Sequence, residues 1–396
     1  MRIAFFSNDF PPNLGGIAEV GRRLCEELAR RGHEVHVVTH RPVGVRPDEA
    51  APPYAVHRLF PPYPQGVLRS AGGPWRLIRW RAAARRAVEA FWPSCRPEVL
   101  LAGKYSPFYP MLFRRLPCPL LLLLHGQEVG GALAGWRPLR RRGLRRTVRR
   151  AAWTFCNSAY TLGLLRRLCG RDVNASATGC GYPVEQIVAD PDRAAARRAL
   201  GWDDAPVLLT VARLVPRKGI DTTIRALELV RRHLPDCRYV VAGDGPARPA
   251  LERLARETLG DGCVRFLGRV DEPTRRNLYL AGDLFVMPSR TEGGVVEGFG
   301  ISFLEANAHG LAAVGSKAGG IPDAVVHDQT GLLVEPDDPA ALAGAVVELL
   351  EDPARRRRMA LAGQEMIRRR YNWPAIVDEM EPRLREAAVA AGPRGA

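Results

Sequence analysis

The segment Ile3-Ala-Phe-Phe-Ser-Asn-Asp-Phe-Pro-Pro-Asn-Leu-Gly-Gly16 opens with four apolar residues and ends in a pair of glycines. The apolar run predicts a short buried strand, and the residues that follow predict a helix near Ile17–Arg31. The second half of the chain repeats this order, because Val207-Leu-Leu-Thr-Val211 leads through a loop with Lys218-Gly219 to a predicted helix near Ile220–His233. Two halves that open alike predict two domains of similar architecture.

Short apolar runs alternate with helical stretches along the whole chain, which predicts parallel sheets with helices on both faces. The strands predicted for the first half are Ile3–Phe6, Glu34–Thr39, Ala55–Leu59, Val99–Ala102, Leu120–Leu124 and Trp153–Asn157. Those predicted for the second half are Val207–Val211, Tyr239–Ala242, Val264–Leu267, Leu284–Met287, Ala312–Gly315 and Gly331–Val334. We therefore predict an α/β protein with two Rossmann-like domains, 1–185 and 186–372, with a cleft between the carboxyl ends of their strands.

The composition is that of a soluble globular protein, with 46% hydrophobic and 25% charged residues in a chain of 396. The apolar runs are too short to cross a bilayer, and no signal peptide is expected at the N-terminus. Eight cysteines contain no Cys-x-x-Cys pair, and eight histidines show no ligand spacing. We therefore expect reduced thiols, a cytoplasmic location and no structural metal.

The charge of the chain is uneven. The first 183 residues carry 29 Lys and Arg against 11 Asp and Glu, and Arg137–Arg150 holds eight arginines in fourteen residues. An anionic membrane surface or an anionic acceptor would suit such a segment. Nucleic acid is not expected as a partner, because no nucleic-acid-binding motif accompanies the arginines. The alternative is a solvated face of compositional origin, since the chain has just three lysines, Lys104, Lys218 and Lys317.

The segment Glu297-Gly-Phe-Gly-Ile-Ser-Phe-Leu-Glu305 places two carboxylates eight residues apart. If a helix begins after Gly300, Glu305 lies more than one turn into it and Glu297 lies in the loop before it. The N–H groups at such a junction form a phosphate site at the positive end of the helix dipole. The carboxylates could bind neutral hydroxyls of the same ligand. A sugar nucleotide carries both kinds of group.

This spacing resembles the Glu-x7-Glu motif of the family 4 retaining glycosyltransferases, and the resemblance extends in ordered pieces from Met1 to about Trp373. It implies the GT-B fold, an acceptor-binding first domain and a second domain that binds a nucleotide sugar. A final helix, about 373–390, would pack back on the first domain. The resemblance also implies hexosyl transfer with retention and without a metal, which agrees with the lack of an Asp-x-Asp motif between the halves.

Four residues match the catalytic positions of the family. Arg213 and Lys218 match the diphosphate-binding pair, where a cation stabilises charge that develops on the leaving group. Glu297 would bind the 3- or 4-hydroxyl of the sugar. His125, which ends a predicted strand, would contact a ring hydroxyl near the reaction centre, unless it is a core histidine satisfied by the backbone.

The remaining donor contacts that the resemblance implies involve glycines, backbone groups and two polar side chains. Gly15 and Gly16 would approach a phosphate, as would the N–H groups of Phe299, Gly300 and Ile301. Glu305 would bind the ribose hydroxyls. The last three implied contacts are Gly268 and Val270, at the edge of the nucleobase, and Asn157, at the floor of the cleft.

The glycine-rich segment Pro288–Gly300 and the stretch Ala212–Gly219 resemble those of mannosyltransferases that modify phosphatidylinositol mannosides. The predicted co-substrate is therefore GDP-mannose, with no cofactor. The predicted acceptor is lipid-linked or a glycan, at the inner face of the plasma membrane. The alternatives are a UDP-sugar-dependent transferase with a soluble acceptor and a non-catalytic homologue that binds sugar nucleotides. A further alternative is an epimerase or a phosphorylase of the same architecture. A phosphorylase would normally carry a lysine for pyridoxal phosphate in a longer chain, and neither is evident.

Overall fold

The structure is a computed structural model that describes residues 1–13, 15–41, 52–60, 73–106, 116–135 and 138–391. The chain divides into two compact units, Met1–Gly179 with Trp373–Ala396, and Cys180–Asn372. The division after Gly179 comes earlier than the boundary expected at residue 185. The physical reason is that the Tyr182 N–H donates to the carbonyl of Tyr371 at 2.7 Å, which ties this segment to the second unit.

Within the described residues, the first unit has a sheet of seven strands in the order β3-β2-β1-β4-β5-β6-β7. These strands are β1 (Arg2–Phe6), β2 (Glu34–His40), β3 (Ala55–Phe60), β4 (Val99–Ala102), β5 (Leu120–Leu124), β6 (Trp153–Cys156) and β7 (Ala175–Ala177). Its helices, numbered in chain order among the described residues, are α1 (Gly16–Arg30), α2 (Gly73–Cys95), α3 (Gln127–Leu133), α4 (Pro138–Arg150) and α5 (Ala159–Cys169).

The second unit has a sheet of six strands in the order β10-β9-β8-β11-β12-β13. These strands are β8 (Val207–Val211), β9 (Arg238–Ala242), β10 (Val264–Gly268), β11 (Leu284–Met287), β12 (Ala313–Ser316) and β13 (Gly331–Val334). Its helices are α6 (Arg193–Leu200), α7 (Ile220–Val230), α8 (Arg248–Leu259), α9 (Glu272–Ala281), α10 (Ile301–Ala308), α11 (Ile321–Ala324), α12 (Pro339–Glu351) and α13 (Pro353–Arg369). Short 3-10 turns occur at Val184–Gln186 and Pro216–Lys218.

The last helix, α14 (Trp373–Ala390), belongs to the first unit. Its apolar residues Ile376, Val377, Met380 and Leu384 are buried. On its polar side, Asp378 and Glu381 bind Arg31 at the end of α1, with N···O distances of 2.7 and 3.1 Å. Both apolar burial and ion pairs therefore hold this helix against the first unit.

The strands form where the sequence is continuously apolar, as is typical of parallel sheets that are buried on both faces. In β5 all five residues are leucine, and all are buried. Every predicted strand is confirmed to within one residue at each end. The short strand β7 was not predicted, because Ala175-Ser-Ala177 is only half-buried and carries no continuous apolar run.

The strand order determines where loops from different parts of the chain converge. All pairings within the two sheets are parallel, so the carboxyl ends of the strands lie along one edge of each sheet. The order reverses direction between β1 and β4 in the first unit and between β8 and β11 in the second. Open α/β sheets bind ligands at the carboxyl edge beside such a reversal point.

Candidate functional site

A buried ion pair lies at the reversal point of the second sheet. Lys218 ends the 3-10 turn after β8, and Glu297 lies in the loop after β11. The Lys218 Nζ is 2.5 Å from the Glu297 Oε2, and the two side chains are 11% and 16% exposed. The same Nζ lies 3.5 Å from the Met287 sulfur. The pair is largely shielded from water, so its charges act strongly on any group that binds beside it.

Close backbone contacts fix the loop that carries Glu297. Its carbonyl accepts from the Gly320 N–H at 2.9 Å, and a Cβ at Gly319 would lie 2.4 Å from that oxygen. At Gly300 the φ angle is +93°, and a Cβ there would lie 2.7 Å from the Phe303 ring. These contacts exclude larger residues, since both glycines have φ angles that other residues rarely adopt.

The beginning of α10 presents donors without partners. The N–H groups of Phe299, Gly300 and Ile301 donate to no acceptor within the described part of the chain. The Ser302 hydroxyl donates to the Val211 carbonyl at 3.2 Å, which ties the start of α10 to the end of β8. These N–H groups therefore form an anion site close to β8, as expected at a helix N-terminus.

Arg213 follows β8 and is exposed, and its guanidinium has no ion-pair or hydrogen-bond partner among the residues that the structure describes. Lys218, five positions later, is instead held by Glu297. The two predicted diphosphate-binding cations thus belong to one segment but differ in environment. One is available to a ligand without rearrangement, and the other must share its charge with a carboxylate.

Glu305 is bound on both carboxylate oxygens by α9. The Tyr279 hydroxyl donates to Oε2 at 2.7 Å, and Arg275 Nη1 donates to Oε1 at 3.0 Å. Burial, and then the charge of Glu305, raises the pKa of Tyr279 well above its ordinary value, so this hydroxyl stays protonated. The carboxylate is 16% exposed.

Other predicted contacts of the second unit lie along the same edge. Gly268 ends β10, and its carbonyl accepts from the Gly243 N–H at 2.7 Å. Val270, two positions later, is half-buried. Burial, and then the charge of Glu297, raises the pKa of the Cys180 thiol to about 12. A thiol with that pKa stays protonated at neutral pH and is a poor nucleophile.

A second lysine–carboxylate pair lies at the reversal point of the first sheet. Lys104 follows β4, Asp9 follows β1, and the Nζ–Oδ2 distance is 2.6 Å. The loop with Asp9 continues to Gly15, which has a φ angle of +148° and caps α1. The N–H groups of Gly15 and Gly16 have no acceptor among the described residues. A cation and free donors therefore share this edge.

His125 follows β5 and is buried. Its Nε2–H donates to the carbonyl of Gly103 at 2.7 Å, which leaves Nδ1 as the acceptor nitrogen of the ring. Burial lowers the pKa of His125, so the ring is neutral near pH 7. The backbone thus satisfies Nε2, as expected if His125 is a core histidine. The other nitrogen, Nδ1, can still accept a hydrogen bond from a hydroxyl.

Asn157 follows β6 directly and contacts the helix that comes next. Its Oδ1 accepts from the Thr161 hydroxyl at 2.9 Å, and Ser158 caps α5 by accepting from the Thr161 N–H. The Asn-Ser pair therefore has a structural role at the beginning of α5. A ligand contact by Asn157 remains a prediction.

In the second unit Lys218 contacts Glu297, and the start of α10 is tied to the end of β8, two positions before Arg213, while Glu305 contacts α9. In the first unit Gly15 and Gly16 follow β1 and His125 follows β5, and a joint role of these residues in donor binding remains a prediction. The sequence reasoning missed the ion pair of Lys104 with Asp9. It also missed Tyr279 and Arg275, the two side chains that donate to Glu305. The scarcity of lysine was a usable signal for Lys104. No sequence signal marked the α9 residues, because they meet Glu305 only in the folded unit.

The arginine-rich segment forms helix α4, from Pro138 to Arg150, while Arg137 lies outside the described residues. Leu144, Thr147 and Val148 are its buried side chains. A groove of about 830 Å³ runs along the other side of the helix. Its lining includes six arginines with no ion-pair partner in the described ranges, namely Arg141, Arg142, Arg145, Arg146, Arg149 and Arg150.

Comparisons with known proteins decide the family. Residues 14–178 match the model of Glycosyltransferase Family 4, and residues 192–366 match that of Glycosyl transferases group 1. The chain is 32% identical to a GDP-mannose-dependent alpha-(1-6)-phosphatidylinositol monomannoside mannosyltransferase of Mycolicibacterium smegmatis, over 93% of this chain and 94% of that protein. This chain is a family 4 glycosyltransferase.

Two further comparisons agree with that assignment. A GDP-mannose-dependent monoacylated alpha-(1-6)-phosphatidylinositol monomannoside mannosyltransferase of Corynebacterium glutamicum is 31% identical to this glycosyltransferase, over 94% of this chain and 95% of that protein. The structure of sucrose-phosphate synthase from Thermosynechococcus elongatus has a TM-score of 0.82 and 25% identity, and covers 98% of this chain and 99% of that one. The glycosyltransferase therefore has the GT-B fold, as predicted.

The described residues contain no group of three or more His, Cys, Asp or Glu side chains placed to hold a metal ion. None of the helices described for this glycosyltransferase is both long and apolar enough to cross a bilayer.

Proposed function

We propose that this glycosyltransferase moves a mannosyl group from GDP-mannose, with retention, to a lipid-linked or glycan acceptor at the inner face of the plasma membrane. The observation that supports binding of the sugar-nucleotide donor is the Lys218–Glu297 pair at the reversal point of the second sheet. It lies where the loops after β8 and β11 meet, and the unpaired N–H groups at the start of α10 follow Glu297 closely. A cation and free donors suit a diphosphate, and a carboxylate suits the hydroxyls of a sugar.

The proposed reaction uses the leaving group as the base. The bond between the anomeric carbon and the β-phosphate oxygen breaks while a bond from the acceptor oxygen forms on the same face. The proton of the acceptor hydroxyl passes to the departing phosphate, so the products are the glycoside and a nucleoside diphosphate. Arg213 and Lys218 stabilise the negative charge that grows on that phosphate. These cations and the α10 donors supply the positive charge, so we propose a reaction without a metal or a cofactor.

The donor is the first point to test. Both mannosyltransferases at 31–32% identity are named as GDP-mannose-dependent, which supports GDP-mannose here. A thermal-shift screen with GDP, UDP and ADP and their sugars is expected to show the largest rise in melting temperature with GDP-mannose, since a ligand that binds only the folded state stabilises it. A larger rise with a UDP-sugar would favour the alternative, a UDP-sugar-dependent transferase with a soluble acceptor. No rise with any nucleotide would contradict the proposal.

Turnover distinguishes an enzyme from a non-catalytic homologue that binds the same nucleotide. Release of GDP in the presence of phosphatidylinositol-type acceptors is expected to persist in excess chelator. NMR of the product is expected to show the anomeric configuration of the donor. An inverted configuration would refute the single-face reaction, and binding without turnover across acceptors would favour the non-catalytic reading.

We also propose that the arginines of Arg137–Arg150 bind an anionic membrane surface, so that the protein is cytoplasmic or peripheral on the inner face. The support is the row of arginines without ion-pair partners that lines the groove along α4. Each arginine near an anionic surface contributes about 1 kcal/mol. Replacing Arg141, Arg145 and Arg149 by glutamine is therefore expected to weaken binding to phosphatidylinositol-rich vesicles roughly 100-fold.

The matched control replaces three exposed arginines of the second unit, Arg276, Arg357 and Arg358. This variant has the same net charge as the α4 variant. Added salt is expected to weaken the binding of the unsubstituted protein, because the attraction is electrostatic. An equal loss of vesicle binding in both variants, or binding that salt does not change, would reject a specific role for α4. The arginines of α4 would then be a solvated surface without a membrane partner.

A further inference from the structure

The carboxylate of Glu305 is held by two donors from one helix face. Arg275 and Tyr279 are four residues apart in α9, so they project from the same side of that helix. Tyr279 donates to one carboxylate oxygen and Arg275 to the other, at 2.7 and 3.0 Å. The carboxylate of Glu305 therefore cannot rotate without breaking at least one of these two bonds.

The supports are themselves fixed. The Tyr279 ring is 1% exposed and stacks on His309 with ring centroids 5.3 Å apart. The Nδ1–H of His309 donates to the backbone carbonyl of Glu305 at 2.8 Å. Arg275 is also bound by Glu272 at 2.6 Å, on its other terminal nitrogen. The orientation of the Glu305 carboxylate is therefore determined before any ligand binds.

A carboxylate offers about four acceptor positions, two on each oxygen. One position on each oxygen of Glu305 is filled from α9, and one on each oxygen remains. Two parallel acceptor positions match two neighbouring hydroxyls, such as those of a ribose. A ligand that lacks one hydroxyl would leave a charged acceptor without a partner in a site that is 16% exposed.

We propose that Tyr279 and Arg275 are positioning residues that orient Glu305 toward the 2′- and 3′-hydroxyls of the nucleotide and thereby set a preference for ribonucleotides over deoxyribonucleotides. This inference rests on the proposed function, because it takes a nucleoside diphosphate as the ligand. It assigns no contact between Tyr279 or Arg275 and the ligand. Their effect passes through the orientation of Glu305.

Calorimetric titration of the full chain with GDP, 2′-deoxy-GDP and 3′-deoxy-GDP tests the proposal. The unsubstituted protein is expected to bind GDP about 10- to 100-fold more tightly than either deoxy analogue, the fold-change expected for one hydrogen bond to a charged group. Tyr279→Phe is expected to weaken the binding of GDP about 10-fold while leaving the binding of the deoxy analogues nearly unchanged. The ratio of the dissociation constants of the deoxy analogues to that of GDP should therefore fall close to one in this variant.

The matched control is Tyr239→Phe, which removes another fully buried tyrosine hydroxyl of the same unit, bonded to Thr210 at 2.6 Å. It is expected to lower the melting temperature but to leave the ratio of the dissociation constants of the deoxy analogues and GDP unchanged. Arg275→Gln repeats the test at a side chain that is 34% exposed, where misfolding is a smaller risk. The same ratio is expected to fall in that variant.

Three outcomes would overturn the inference, and they are separable. An unchanged ratio in both the Tyr279 and Arg275 variants would show that α9 does not orient Glu305. Equal binding of GDP and its deoxy analogues by the unsubstituted protein would show that Glu305 does not bind the ribose, while nucleotide binding itself would stand. Failure to bind GDP, UDP or ADP would overturn the proposed function and the inference with it.

Discussion

At the scale of single residues, the most consequential contact is the ion pair between Lys218 and Glu297. Partial burial strengthens the attraction between the two charges, but it also makes each of them costly to leave alone. The pair therefore keeps a cation and a carboxylate in a desolvated position until a ligand binds. A diphosphate would compete with Glu297 for Lys218, and a sugar hydroxyl could take over the Glu297 oxygen.

Removing either partner is expected to lower turnover about 100-fold or more, the loss that follows removal of one electrostatic group from a transition-state site. The changes are Lys218→Ala and Glu297→Ala, measured as the rate of GDP release at saturating donor. Lys317→Ala is the control, because this lysine is 53% exposed and paired with Glu335 on the surface. Turnover like that of the unsubstituted protein in both site variants would refute the assignment.

His125 gives a prediction about pH. Its folded pKa lies below the unfolded value of about 6.5, because burial disfavours the charged ring. The folded state then binds fewer protons than the unfolded state, so stability is fully present above that value and falls as the pH drops below it. His125→Gln keeps a donor for the Gly103 carbonyl but does not titrate.

The melting temperature of His125→Gln is therefore expected to fall less steeply between pH 7 and pH 5 than that of the unsubstituted protein. The control is His233→Gln, at an exposed histidine, which should leave the slope unchanged. Identical slopes in all three proteins would show that protonation of His125 is not coupled to unfolding. His33, His57 and His309, whose pKa values burial also lowers, would then account for the acid sensitivity.

At the scale of secondary-structure elements, the junction of a loop with α10 determines the geometry of the proposed donor site. Gly300 caps this helix in the left-handed region, with a φ angle of +93°. That conformation turns the chain so that Glu297 and the first N–H groups of α10 come close together. The presence of a glycine here follows from sterics, since an added Cβ would overlap the Phe303 ring.

Gly300→Ala is expected to destabilise the protein by about 1–3 kcal/mol, the usual cost of a residue in such strained backbone. It should also weaken nucleotide binding, because the α10 donors would shift. Gly344→Ala is the matched control, since Gly344 lies within α12 and an added Cβ meets nothing within 4 Å. This control should be neutral or stabilising by up to about 1 kcal/mol. Urea denaturation measures both, and equal effects would contradict the steric argument.

At the scale of the whole molecule, the chain builds two units and then returns to the first. Helix α14 follows the second unit in sequence but contributes its buried residues to the first. Each large apolar side chain buried in this way contributes about 1.5–3 kcal/mol. Four of them, Ile376, Val377, Met380 and Leu384, together contribute an amount comparable to the total stability of a typical domain.

Deleting the chain from Trp373 onward is therefore expected to destabilise the first unit. Hydrogen exchange measured by mass spectrometry should become faster in α1 and β4, which α14 contacts, while strands such as β9 in the second unit stay protected. A chain that ends at residue 391 serves as the control. Unchanged protection in α1 after the larger deletion would show that α14 is dispensable for the first unit.

The sequence alone determined every described strand except β7, the α/β class and the two-domain organisation into a GT-B glycosyltransferase. The reason is that strands buried on both faces need continuous apolar runs, such as the five leucines of β5, and these are visible in the sequence. The position of Glu305 in a helix and of Glu297 in the loop before it was also predictable, since both follow from local spacing and from Gly300.

Only the tertiary structure decided which of these side chains meet. Lys218 contacts Glu297, Lys104 contacts Asp9, and Tyr279 contacts Glu305 across long stretches of sequence. The two lysine–carboxylate contacts exist because the strand order places β8 beside β11 and β1 beside β4. Apolar runs specify that a segment is a strand, but they carry no mark of its neighbours in the sheet. Strand order is set by how helices and sheets pack together, so these contacts form only when the whole unit folds.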